Sequence, residues 1–119
     1  MSEPVTTPVS LDAAPAVVSL LEPAAVLAAM SDPGRYAILR VLTASGPLPV
    51  KTLAAKLKRP ADGISKHLKV LRAARLVSAV NPPGTDGRKQ YYEVPALFRS
   101  HDTAGRPVLD FGAVVLRLV

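Results

Sequence analysis

Eight of the fifteen Lys and Arg residues fall between positions 51 and 75: Lys51, Lys56, Lys58, Arg59, Lys66, Lys69, Arg72 and Arg75. Asp62 is the only acid among them, so this stretch carries a net charge of +7. Residues 1–30 hold Glu3, Asp12 and Glu22 and no Lys or Arg, the opposite sign. A basic total alone says little, but cations concentrated in one stretch are the footprint of a polyanionic partner. Thr52, Ser65 and His67 stand among them and can donate or accept hydrogen bonds. The chemistry on offer is therefore binding, not bond-making. With two histidines, no cysteine and no carboxylate pair with identifiable partners, no catalytic constellation can be assembled, and no enzyme is expected.

The elements that must hold these groups follow from spacing. Ile64, Leu68 and Leu71 recur at i, i+4 and i+7, a narrow apolar stripe that also takes in Arg75 at i+11. The opposite arc carries Asp62, Ser65, Lys66, Lys69 and Arg72. The spacing predicts a helix from about Pro60 to Ala74, with Pro60 at a first-turn position where its missing N–H is no loss. Val50 to Leu57 predicts a shorter helix with Val50, Leu53, Ala54 and Leu57 inward, joined to the first by Lys58 and Arg59. Two short helices about a tight turn, the second basic on its outer face, form a helix-turn-helix over about residues 50–74.

Beyond Arg75 the period changes. Leu76–Val80 and Gln90–Val94 are β-prone runs, and residues 81–89 between them are dense in turn formers. This predicts a hairpin, a wing over about residues 76–94 with Arg88 and Lys89 near its tip. Upstream, Asp12–Leu21 and Ala24–Met30 predict apolar helices. Ser31 or Asp32 then caps a helix that begins at Pro33 and runs to about Ala44. Pro95–His101 predicts a short helical turn, and 102–107 a loop. Residues 107–119 predict a strand or a pair bent about Gly112, which its own sheet or a second subunit must cover. The fold class is α+β, mainly α: a winged helix-turn-helix with a β-hairpin wing and a β-prone C-terminal tail.

At 119 residues the chain is long enough for one modest core, read as a flexible tail over residues 1–10 and a single domain over 11–119. Apolar residues make up 49% and aromatics 4%, so that core is aliphatic. The absence of cysteine excludes disulfides and thiolate metal sites. The longest apolar stretches are broken by Pro15 and Pro23 and fall short of a membrane span, so no membrane partner is expected. No Lys or Arg precedes Arg35, which argues against a signal peptide, and a cytoplasmic protein is the expectation.

Three segments carry a resemblance. Residues 30–42 (from Met30-Ser31-Asp32-Pro33-Gly34-Arg35 to Leu42), Ile64-Ser65-Lys66-His67-Leu68-Lys69-Val70-Leu71 and Gly87-Arg88-Lys89-Gln90-Tyr91-Tyr92-Glu93-Val94 come in the order and spacing of the ArsR family of bacterial winged-helix repressors. The chain resembles that family over roughly residues 23–95. The resemblance implies a homodimer that binds an operator in double-stranded DNA and answers a signal. The sequence also departs from the pattern. Val50-Lys51-Thr52-Leu53 holds no thiol for a metal, and His101 and Asp102 are adjacent instead of sharing a helix face. Arg75 replaces the usual glycine between recognition helix and wing, and a β-prone tail replaces the long C-terminal dimer helix. No metal and no cofactor are therefore expected, and no effector is identified.

In such a fold the basic helix enters the major groove, where all four base pairs are distinguishable. Ser65, Lys66 and His67 occupy the positions that the family presents to base edges, with Asp62 and Gly63 just before them. Lys58, Arg59, Lys69 and Arg72, with Lys51 and Thr52 on the preceding helix, are assigned to phosphates. Arg88 and Lys89 are assigned to a phosphate or the minor groove. His67 also fits a half-buried packing role, Asp62 an acid favouring the helix dipole, and Lys56 a solvated surface. One of Tyr91 and Tyr92 should be core and the other surface. The reading is a sequence-specific DNA-binding transcriptional regulator, a dimeric repressor whose subunits meet through the N-terminal helices and the C-terminal strand. Two alternatives stand beside it, a winged helix that docks an acidic protein and a non-specific nucleoid-type DNA binder.

Overall fold

Asp32 starts the scaffold. Its carboxylate accepts a hydrogen bond from the Gly34 N–H at 2.6 Å, capping a helix whose first residue is Pro33. A computed structural model describes residues 21–118 of the chain. The expected tail over 1–10, and the expected helix over 12–21 apart from Leu21, lie outside the described residues. Helix α1 spans Pro23–Ala29 and α2 spans Pro33–Ser45. A two-residue strand β1, Leu48–Pro49, leads directly into α3, Val50–Leu57, and α4 covers Ala61–Ala73.

The wing follows as β2, Ser78–Val80, and β3, Tyr91–Glu93. It is part of a three-stranded antiparallel sheet in the order β1-β3-β2, with Leu48 and Ala79 on either side of Tyr92. β1 lies in the stretch between the two helices expected over 33–44 and 50–57, where the sequence predicts no strand. Pro49 cannot donate to a ladder, and it sits on an edge where one donor fewer is tolerated. A 3₁₀ turn, Ala96–Phe98, precedes β4, Arg99–His101, so the helical turn expected over 95–101 is only half helix. β5, Pro107–Asp110, and β6, Val115–Arg117, complete a second antiparallel sheet in the order β4-β5-β6. The expected bend falls at Gly112, whose φ of 89° is the left-handed region that favours glycine.

One apolar cluster joins these parts. Ile38, Leu39 and Leu42 of α2, Leu53 of α3, Ile64, Leu68 and Leu71 of α4, and Leu76, Val94, Phe98, Leu109 and Phe111 all bury in it. Phe98 and Phe111 meet edge to face, their centroids 5.1 Å apart, and bring the C-terminal sheet onto the helices. The Tyr36 hydroxyl donates to the Arg117 carbonyl at 2.9 Å, a second tie between that sheet and α2. Tyr91 and Tyr92 are both half-buried, but Tyr92 is the one packed against the core cluster.

Asp32 is held below its ordinary aspartate value of 3.8, chiefly by the Gly34 N–H, with smaller help from His67 and Arg35. A lowered folded-state value stabilises the fold above the unfolded value, and that contribution is lost as pH falls through the folded one. D32A should therefore lower the thermal midpoint at neutral pH, and its gap from the parent should narrow below pH 3.8. Circular-dichroism melts across pH check both statements.

Candidate nucleic-acid interface

The apolar stripe decides what α4 shows. Ile64, Leu68 and Leu71 are buried, so Asp62, Ser65, Lys66, Lys69 and Arg72 are left exposed on its outer side. α4 starts one residue later than the periodicity suggested. Pro60, with ψ of 142°, is its N-cap and not its first helical residue, although its missing N–H is harmless in either place. An added Cβ at Gly63 would meet nothing within 4 Å, so the first turn of α4 is open to a ligand.

Both turns flanking α4 close in the same way. After α3 the Lys58 N–H donates to Ala55 O and the Arg59 N–H to Ala54 O. After α4 the Arg75 N–H donates to Arg72 O and the Leu76 N–H to Leu71 O, both at 2.9 Å. Each is a Schellman closure, which needs one left-handed residue and normally takes glycine. Here the positions are held by Lys58, φ 55°, and Arg75, φ 66°. Arg75 thus takes up the left-handed conformation that a glycine would adopt at this corner. Arg75 matches the apolar spacing at i+11, but it lies beyond the helix and is exposed.

His67 and Arg59 turn back toward α2. A Cβ added to Gly34 would lie 3.1 Å from His67 Nε2 and 3.3 Å from an Arg59 guanidinium nitrogen. His67 Nδ1 is 3.4 Å from Arg35 NH1. Arg35 also donates from Nε to Ala29 O at 2.7 Å and from its other terminal nitrogen to Ala28 O at 3.3 Å, satisfying carbonyls at the end of α1. His67 is therefore half-buried in the seam that joins α1, α2 and α4, and stands apart from the outward face of Ser65 and Lys66.

The wing lies beside that face. The Arg72 guanidinium sits 6.0 Å from the centre of the Tyr92 ring, close enough for a cation–π contact that aligns it along the strand. A cleft of about 280 Å³ separates the start of α3, with Lys51 and Thr52, from Lys89 and Gln90 of the wing. At the tip Asp86 accepts from the Arg88 N–H at 2.9 Å and from its Nε at 3.3 Å. These contacts hold the Asp86 carboxyl below its ordinary value. Arg88 remains 91% exposed in this pair, and the Lys89 charge nearby adds a smaller pull on the same carboxyl. His101 and Asp102 stay apart in function. Asp102 accepts from the Ala104 and Arg106 N–H groups, each at 2.9 Å, and so builds the β4–β5 turn. No group of three or more His, Cys, Asp or Glu that could hold a metal occurs among the described residues. No helix among them is long and apolar enough to cross a membrane.

A two-helix unit with an exposed basic second helix, flanked by an antiparallel wing, is a winged helix-turn-helix. Comparisons narrow the class. A family model described as a helix-turn-helix domain matches residues 30–79. NolR from Sinorhizobium fredii is 30% identical over 76% of this chain and 83% of its own, with a TM-score of 0.54. The transcriptional regulator HlyU from Vibrio vulnificus is 30% identical over 62% of this chain and 72% of its own, with a TM-score of 0.52. A homodimeric winged helix-turn-helix DNA-binding domain from Mycobacterium bovis, a possible ArsR-family regulator, is 28% identical over 70% of each chain, with a TM-score of 0.54. A search of the curated proteins found no match. The chain belongs to the ArsR-type family of winged helix-turn-helix transcriptional regulators.

The left-handed residue makes a stability test. Replacing Arg75 by glycine removes a backbone penalty of about 1–2 kcal/mol and restores roughly 0.5–1 kcal/mol of chain entropy to the unfolded state. R75G should therefore gain roughly 0.5–1 kcal/mol, read from urea unfolding midpoints at unchanged slope.

Proposed function

We propose that this regulator is a homodimeric, sequence-specific repressor that places α4 in the major groove of operator DNA. One observation carries the reading. Sealing Ile64, Leu68 and Leu71 in the core leaves Ser65, Lys66, Lys69 and Arg72 together on the exposed face. Ser65 and Lys66 read base edges, with Asp62 accepting from a cytosine amine and Gly63 allowing close approach. Lys51, Thr52, Lys58, Lys69 and Arg72 contact phosphates. Arg88 and Lys89 hold the wing on phosphate or in the minor groove. Arg75 joins the phosphate set, because a strained cation is kept at a corner where glycine is easier to accommodate. Arg59 and His67 position α4 against α2. The domain runs over residues 11–119.

Dimerisation is assigned to the N-terminal helices and the C-terminal sheet. Leu27 of α1 is 58% exposed and Val115 of β6 57%, large apolar side chains left on the surface of those two elements. The M. bovis domain named above is a homodimer, which supports a dimer here. L27E should shift the chain toward monomer in sedimentation equilibrium and weaken operator binding in parallel, while leaving the circular-dichroism spectrum unchanged.

Fluorescence anisotropy tests the DNA reading, using DNA from upstream of the chain's own gene against a scrambled duplex across a salt series. A preference of about a thousandfold or more at near-physiological salt is expected for an operator binder. S65A should erode that preference by about 1–3 kcal/mol at one base position. K69A should weaken binding to both duplexes alike and reduce the salt slope by about one. R75G should do the same while stabilising the fold. Equal, steeply salt-dependent binding to both duplexes would instead support a non-specific binder.

A further inference from the structure

On a different side of α2 from the Asp32 seam, its C-terminal half, the end of α3 and the C-terminal sheet enclose a groove of about 640 Å³. That volume lies within the range of small-molecule sites. Val41 and Ala44 of α2, Leu57 of α3, Pro107 of β5 and Leu118 give it apolar walls. Arg40 and Lys56 are its only charged lining residues. Both are exposed, neither has a partner among the described residues, and no acid lines the groove. An uncharged apolar guest would leave both cations unanswered, and inorganic phosphate would leave the walls unused. Pro107 of β5 and Leu118 just after β6 supply one wall, so the groove depends on this chain's C-terminal segment.

We propose that this groove is a binding site for a small amphipathic organic anion, a carboxylate on an aromatic or aliphatic body. The carboxylate pairs with Arg40 and Lys56 and the body lies on Val41, Leu57 and Leu118. The site is separate from the DNA-binding face, and its occupancy can be read without DNA.

The probe is 2-naphthoate, titrated into the full ¹⁵N-labelled chain and followed by NMR, with 2-naphthamide as the neutral match. Saturable shifts are expected in the second half of α2, the last turn of α3 and around Leu118. R40Q and K56Q should each weaken binding about tenfold, the loss of one charge-assisted hydrogen bond. A44W, at an exposed helix position, should block the groove while the rest of the spectrum reports an intact fold. Equal affinity for 2-naphthamide would overturn the proposal. So would shifts confined to α4 and the wing, an unaffected A44W variant, or no saturable response at millimolar naphthoate. A failure of the operator experiment would leave this titration unchanged, so the two readings fail separately.

Discussion

Burial of Ile64, Leu68 and Leu71 against Ile38, Leu39, Leu42 and Leu53 is the constraint on which everything else rests. A helix with three apolar residues on one side has one low-energy orientation on a core. Once that orientation is set, the exposed groups are whatever occupies the other arc. Here that arc carries a hydroxyl, three cations and a single acid. The function follows from a packing decision, because nothing else in α4 dictates which way its polar residues face.

The two turns around α4 add precision at a local expense. Schellman closures fix where the helix starts relative to α3 and where the wing leaves it. Glycine would form both without strain. Lys58 and Arg75 form them with side chains that carry charge, at the two ends of the basic face. Left-handed residues that carry charge where glycine would relieve strain are what is expected where binding and folding make different demands. Arg35 completes the frame from the other side. It satisfies carbonyls of α1 and contacts His67, so three helices share one guanidinium.

The C-terminal region is held to the helices by side-chain contacts. Two phenylalanines, one T-shaped contact and the Tyr36–Arg117 hydrogen bond dock a three-stranded sheet against the helices. The docking covers one face of a β-prone segment that would otherwise be an aggregation hazard. It also creates the groove beside α2, and leaves Val115 outward, available to a second subunit.

Local pattern determined much of this. The period of the apolar residues marked α2, α3 and α4. Asp32-Pro33 marked a helix start, and turn formers between two β-prone runs marked the wing. The clustering of cations marked the partner, because charge density is a property of composition along the chain. What sequence could not supply was contact across distance. β1 is two residues long and exists only because β3 pairs with it. His67 sits at the edge of the stripe, and only the approach of α2, made possible by Gly34, turned it inward. Arg75 matched the apolar spacing, yet the helix ended before it, since the closing hydrogen bonds outweighed the period. The groove between Arg40 and Lys56 joins residues from α2, α3 and the tail, and no pattern within any one of those elements encodes it. Periodicity reports which side of an element is buried; only the packed chain decides what it is buried against.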